Sequence, residues 1–96
     1  MATATASLAA TAQHIEDATA LVVRFCADAG VGVHVETRML PDPEVGGEPE
    51  AVLEICLSNP PPGSLIEFVL AMLAPLRHAG LTGPRGPLYP DVIPEW

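Results

Sequence analysis

The sequence predicts an α+β fold: a small two-layer α-β-β-α domain, in which an antiparallel hairpin packs on two helices, followed by an extended Pro-rich C-terminal arm. Apolar residues recur at three- and four-residue steps over 11–29, which is the period of a helix that packs on a core, and an almost uniformly apolar segment over 65–79 follows a helix-capping pattern. Between these segments, over 31–39, apolar and polar residues alternate, which is the period of a strand with one buried face.

The chain divides into three parts. Residues 1–10 are expected to be a flexible N-terminus, and residues 11–80 to form the α-β-β-α domain. Residues 81–96 contain too many prolines for a helix or a central strand. We therefore expect them to form an extended arm that packs on the domain or on a partner subunit.

Both predicted helices carry signals at their ends. The first is expected to end at Gly30 and the second at Gly80, because glycine adopts the left-handed backbone that follows many helices. The second helix begins with the pattern of a capping box, in which Ser64 accepts a hydrogen bond from the Glu67 amide and the Glu67 side chain reaches back.

The predicted strands, 31–39 and 51–58, are expected to form a hairpin whose tip is the Pro- and Gly-rich loop 41–50. The loop is acidic, and carboxylates on a hairpin tip accelerate the encounter with a basic surface. A solvated tip without a partner is the alternative. The predicted electrostatic partner-binding residues are Asp42, Glu44, Glu48 and Glu50.

Two registers of the hairpin fit the alternation of its strands. One places His34 opposite Cys56 and Glu36 opposite Glu54. The other places Arg38 opposite Glu54, which gives a favourable cross-strand pair and avoids the repulsion between Glu36 and Glu54. We favour the second register.

The second helix is apolar on every side, with Glu67 as the interruption. Such a helix is normally buried all round, and one hairpin covers only one of its faces. We expect the arm or a second subunit to cover the rest. This predicts a homodimer joined through the helix, with pairing of the open hairpin edges as the alternative. The predicted interface residues are Leu65, Phe68, Val69, Met72, Leu73, Leu76, Tyr89 and Trp96.

The composition restricts the kinds of partner. Twelve acidic residues against four basic ones give a net charge of −8, which disfavours direct binding to nucleic acid or to an anionic membrane. Hydrophobic residues make up 49 % of the chain, which excludes a disordered chain. No apolar run is long enough for a membrane span, and the Ala-rich start lacks the basic residues of an export signal.

The residues that commonly carry chemistry are scattered along the chain. His14, His34, His78, Cys26 and Cys56 lack the paired spacing of a zinc site, so we expect no metal and no cofactor. Two cysteines do not make a disulfide scaffold, and we expect both to be reduced and separate in a cytoplasmic protein. Cys56 beside His34 has the outline of an activated nucleophile, but a flat sheet face offers it no oxyanion hole.

These features predict a small acidic protein-binding module without enzymatic activity, which acts by occupying the basic surface of a partner protein. Inhibitors, antitoxins, immunity proteins and phage-borne antagonists are of this physical type. A structural or accessory subunit of a larger complex, docked through its apolar helix, is the alternative. A small enzyme that uses Cys56 and His34 is the third hypothesis.

Overall fold

A computed structural model describes residues 11–40, 50–83 and 86–96 of the chain. The α+β class is confirmed, and the first four elements follow the predicted order. A third strand, which the sequence analysis does not anticipate, follows them near the C-terminus. The elements are α1 (Ala12–Asp28), β1 (Val33–Leu40), β2 (Glu50–Leu57), α2 (Leu65–His78) and β3 (Leu88–Pro94).

The sheet has the strand order β1-β2-β3, with β1 antiparallel and β3 parallel to the central strand β2. Both helices pack on the same face of this sheet. The rings of Phe25 and Phe68 meet edge to face between the helices, with centroids 5.2 Å apart. The centre of the core consists of Ala18, Val22 and Cys26 from α1, Leu53, Ile55 and Leu57 from β2, and Phe68, Met72 and Leu76 from α2.

Side-chain caps begin both helices. Ser64 Oγ accepts a hydrogen bond from the Glu67 amide at 3.3 Å, which is the first half of the predicted capping box. The complete, reciprocal form of the motif is found at α1, where the Thr11 hydroxyl accepts from the His14 amide and His14 Nδ1 accepts from the Thr11 amide. This second box is not predicted from the sequence, because glutamate or glutamine, not histidine, is the usual residue at its third helical position.

Both helices end at the predicted glycines. Gly30 has a φ of 73° and Gly80 a φ of 76°, in the left-handed region that favours glycine. The residue after each glycine, Val31 or Leu81, is buried and donates its amide to a carbonyl in the last helical turn. Each chain reversal is therefore held by a backbone bond and an apolar contact together.

The favoured register of the hairpin is wrong. The strands pair with His34 opposite Cys56 and with Glu36 opposite Glu54. Arg38 reaches Glu54 diagonally across the strands, with 2.7 Å between Nη2 and Oε2, and His34 Nε2 lies 2.6 Å from Glu36 Oε2. The Arg38 charge thus offsets the repulsion at Glu54, and Glu36 has a hydrogen-bonding neighbour in the His34 ring. The registers differ by two residues, so every side chain keeps its face and the alternation cannot distinguish them.

The prolines of β3 fit the edge of the sheet. The Glu95 amide donates to the Leu57 carbonyl at 2.9 Å, so the odd-numbered residues of β3 bond to β2 and the even-numbered residues face outward. Pro90 and Pro94 are both even-numbered, and neither removes a hydrogen bond from the ladder. Their spacing is what allows a proline-rich segment to be a strand.

Candidate interaction surfaces

The sheet has a second face, opposite the core, over which the described residues place no helix. We call it the open face. It presents the even-numbered residues of β1 and β2 and the odd-numbered residues of β3. Three rows of neighbouring side chains cross it from β1 to β3: Arg38–Val52–Tyr89, Glu36–Glu54–Asp91 and His34–Cys56–Ile93.

The middle row, which we call the acidic row, consists of the carboxylates of Glu36, Glu54 and Asp91. Like charges at directly opposed strand positions repel one another, so a row of three requires compensation. Arg38 provides it for Glu54 through an ion pair, and the His34 ring lies within hydrogen-bonding distance of Glu36. Asp91 has no ion-pair partner among the described residues. The acidic row therefore keeps an uncompensated negative charge at its β3 end.

Apolar and aromatic side chains lie on both sides of the acidic row. Val52, between Arg38 and Tyr89, is only 3 % exposed, whereas Tyr89 itself is exposed. Ile93 is half-buried on the other side. Exposed aromatic rings next to carboxylates are suited to a guanidinium group, which stacks on a ring while it pairs with an acid.

Cys56 lies directly opposite His34, the pairing that a Cys/His enzyme needs. Its surroundings oppose that chemistry, since partial burial of the thiol and the negative charges around it raise the Cys56 pKa. The carboxylates concerned are, in order of effect, Glu95, Glu54, Glu36 and Asp91. A raised pKa keeps the thiol protonated at neutral pH, and the thiolate is the nucleophilic form.

Alkylation of Cys56 by iodoacetamide at pH 8 is expected to be slower than that of a cysteine in an unstructured peptide, because only the thiolate reacts. The difference between the two alkylation rates should become smaller as the pH rises through the raised pKa of Cys56. Mass spectrometry of the Cys26→Ser variant, in which Cys56 is the remaining thiol, gives the rate at each pH. A rate above that of the peptide at pH 7 would mean that Cys56 is activated.

The two cysteines are free and separate, as predicted. Cys26 is fully buried on the helical side of the sheet, with its Sγ 3.8 Å from Met72 Sδ, and burial raises the pKa of the Cys26 thiol. Cys56 lies on the open face. The sheet itself stands between the two thiols, so no disulfide joins them.

The predicted apolar interface residues fall into three groups in the structure. Phe68, Met72 and Leu76 are buried in the core, Leu65, Val69 and Leu73 are half-buried, with Leu65 and Leu73 packed against the core, and Tyr89 and Trp96 are exposed. A partner therefore has full access to the exposed group and partial access to the half-buried group, whereas the buried group is inaccessible without opening the core.

Two apolar residues of α2 that are not among the predicted interface residues are more exposed than any of these. Ile66 is 71 % exposed and Leu70 is 61 % exposed, one helical turn apart. We call this pair the apolar stripe. The residues of α2 that face the core are at positions 68, 72 and 76, and the stripe lies on the opposite side of the helix.

Most of the predicted acidic site cannot be placed. Asp42, Glu44 and Glu48 lie outside the described residues. Glu50 is the first residue of β2, and its backbone pairs with that of Leu40. The structure describes the backbone of Glu50 and not its side chain. The acidic row is a separate group of carboxylates on the strands themselves, which the sequence analysis does not identify.

A groove of about 430 Å³ lies between α1 and the C-terminal end of α2, with Leu21, Ala79 and Leu81 in its lining and Asp17 and Arg24 at its rim. Across the described residues, no three His, Cys, Asp or Glu side chains are grouped so that they could hold a metal ion.

Neither α1 nor α2 combines the length and the hydropathy that a membrane crossing requires.

These elements define a class of protein: a small α+β domain in which two helices cover one face of a mixed three-stranded sheet and leave the other face open. Comparisons with protein family models, with curated proteins and with solved structures find no match to this chain.

Proposed function

We propose that this protein is a small, acidic, non-enzymatic module that binds another protein by occupying its basic surface, as inhibitors, antitoxins, immunity proteins and phage antagonists do. The observation that carries the proposal is the acidic row on the open face. Its three carboxylates are fixed on adjacent strands, so the negative surface that they form needs little reorganisation on binding. The net charge of −8 adds a long-range attraction for a basic partner.

Arginine is the basic residue that fits this surface best. Asp91 is free to accept a bidentate pair from a guanidinium group, and Tyr89 lies two residues away on the same face and is exposed. A guanidinium group can pair with the acid and stack on the ring at once, whereas a lysine ammonium group lacks the planar fork. We therefore propose a partner surface rich in arginine.

Asp91→Lys is expected to slow association with the partner about tenfold at low salt, because it replaces attraction by repulsion at the uncompensated end of the acidic row. Asp28→Lys is the matched control: it makes the same change in net charge on α1, away from the open face. The partner is captured from an extract of the source cells, identified and purified, and stopped-flow rates are then measured against ionic strength.

The acidic loop is examined in the same assay, with neutral amides at Asp42, Glu44, Glu48 and Glu50, which should also slow association and leave the domain folded. The effect of each variant should fade as salt shortens the Debye length. Equal rates for the Asp91 and Asp28 variants, or rates that do not respond to salt, would contradict an electrostatic role of the open face.

The apolar stripe favours a second candidate, an accessory subunit that docks permanently in a larger complex through α2. Apolar contacts resist salt, so such a complex should survive ionic strength that dissociates an electrostatic one. Leu70→Arg should then abolish the complex, because it places a charge in an apolar interface. For either function we propose the cytoplasm as the compartment, where two free, separate thiols remain reduced.

A further inference from the structure

The two edges of the sheet differ in what they offer to another strand. The Ser58 amide donates to the Gly32 carbonyl at 2.8 Å, so the even-numbered residues of β1 bond to β2. The backbone N–H and C=O groups of the odd-numbered residues point outward and have no backbone partner among the described residues. These residues are Val33, Val35, Thr37 and Met39.

The edge of β3 is closed by comparison. Its outward amides would belong to the even-numbered residues, and the Leu88 amide already donates to the Leu81 carbonyl at 3.0 Å. Pro90 and Pro94 have no amide proton to donate. Val92 alone retains an outward N–H among the described residues, too little to hold another strand. A strand that joins this sheet therefore pairs with β1.

We propose that a second copy of this chain pairs with the β1 edge, antiparallel and about a two-fold axis at Thr37. The pairing joins the two sheets into one continuous sheet, with open face beside open face and helical layer beside helical layer. In this register Val35 lies opposite Met39 of the second copy, and Glu36 lies opposite Arg38 of the second copy. This interface shares Glu36 with the acidic row but lies along the β1 edge, at the opposite side of the sheet from Asp91, and it replaces α2 as the expected dimer contact.

The charged residues of β1 favour a second copy of this chain as the partner strand, and they favour one register of the pairing. The strand is self-complementary about Thr37, because each of two symmetric positions brings Glu36 of one copy against Arg38 of the other. Arg38 has enough donors to keep its ion pair with Glu54 while it adds a second carboxylate. A two-fold axis at Glu36 would instead oppose two glutamates. An axis at Val35 would leave Met39 beyond the paired residues.

Exposed apolar side chains on the same side of the molecule support the pairing. Met39 is 57 % exposed on the helical face at the end of β1, and the proposed register covers it with Val35 of the second copy. On α1, Val22 faces the sheet and Leu21 lines the groove toward α2, so Val23, 100° further round, faces the β1 side. Val23 is 44 % exposed, and the proposed axis brings the two α1 helices together on this flank.

Thr37→Pro tests the edge. The variant removes an outward amide that takes no part in the pairing with β2, so the monomer should fold while association is lost. We expect the wild-type protein to have twice the 10.0 kDa monomer mass at micromolar concentration by light scattering, and Thr37→Pro to have the monomer mass. Thr37→Val, which keeps the amide, should remain a dimer. A monomeric wild type, or a folded dimer of Thr37→Pro, overturns the proposal.

A mixing experiment tests the register without proline. Glu36→Arg and Arg38→Glu alter exposed side chains, and each alone should dissociate at least tenfold more readily than wild type, because like charges then face each other twice. Mixed together, the two variants should form a heterodimer of wild-type affinity, since every facing pair is again of opposite charge. Circular dichroism confirms that each variant is folded. Failure of the mixture to dimerise, with both variants folded, overturns this register.

Discussion

Ending the chain after Gly83 is expected to abolish cooperative folding and to cause aggregation. The deletion removes β3, which pairs with the central strand β2 along its whole length. It also removes Leu88, which is buried, and Val92, which packs against the core. Each buried aliphatic side chain contributes about 1.5–3 kcal/mol, and a domain of this size has a total stability of about 5–15 kcal/mol.

The loss has a second component besides burial. Without β3, the backbone groups of β2 that accept and donate across the parallel pair face water, and the sheet is reduced to a two-stranded hairpin, which is marginal by itself. The new edge is formed by a strand whose inward residues Leu53, Ile55 and Leu57 are fully buried in the intact protein. An apolar strand with a free edge pairs readily with other chains, which is the physical route to aggregation.

Size-exclusion chromatography and thermal unfolding followed by circular dichroism measure this outcome. Deletion of Trp96 alone is the control, because this residue lies beyond β3 and is exposed. Leu88→Ala separates the burial contribution from the strand and should cost about 2–5 kcal/mol. A truncated chain that keeps the wild-type oligomeric state and melts at the wild-type temperature would show that β3 is not part of the folding unit.

Local signals in the sequence predict most of the elements of this fold. The cap at Ser64, the glycines at positions 30 and 80 and the alternation of the hairpin strands each depend on a few neighbouring residues, and all four elements that they define are found. β3 is not predicted, because a proline argues against a strand unless its backbone nitrogen is known to lie on the side without a neighbouring strand. Pro90 and Pro94 are tolerated because the backbone nitrogen of each faces away from β2.

The candidate surfaces could be predicted less completely, because they depend on pairing between distant segments. The acidic row exists only when Glu36, Glu54 and Asp91 come into register, and the sequence analysis favours the wrong hairpin register and lacks the third strand. The apolar stripe was missed for a different reason. A helix that is apolar on every side does not indicate which side the sheet covers, so Ile66 and Leu70 could not be told from the residues of the core.

Leu76→Ala is expected to destabilise the domain by about 2–5 kcal/mol, whereas Leu70→Ala should change its stability by no more than about 0.5 kcal/mol. The two variants delete the same atoms from the same helix. Leu76 is fully buried between α2 and the sheet, so truncation leaves a cavity that the close-packed core cannot fill. Leu70 is 61 % exposed, and its truncation removes little contact with the rest of the chain.

The pair of variants distinguishes folding from binding on one helix. Urea denaturation gives the free energy of unfolding of each, and the slope of the transition should be unchanged because the surface exposed on unfolding is nearly the same. The first variant should lose a large part of the total stability of the domain. The second should fold normally and be altered only in a complex that uses the apolar stripe. Equal losses of stability from the two truncations would mean that α2 faces the sheet through a different side, and that the stripe is part of the core.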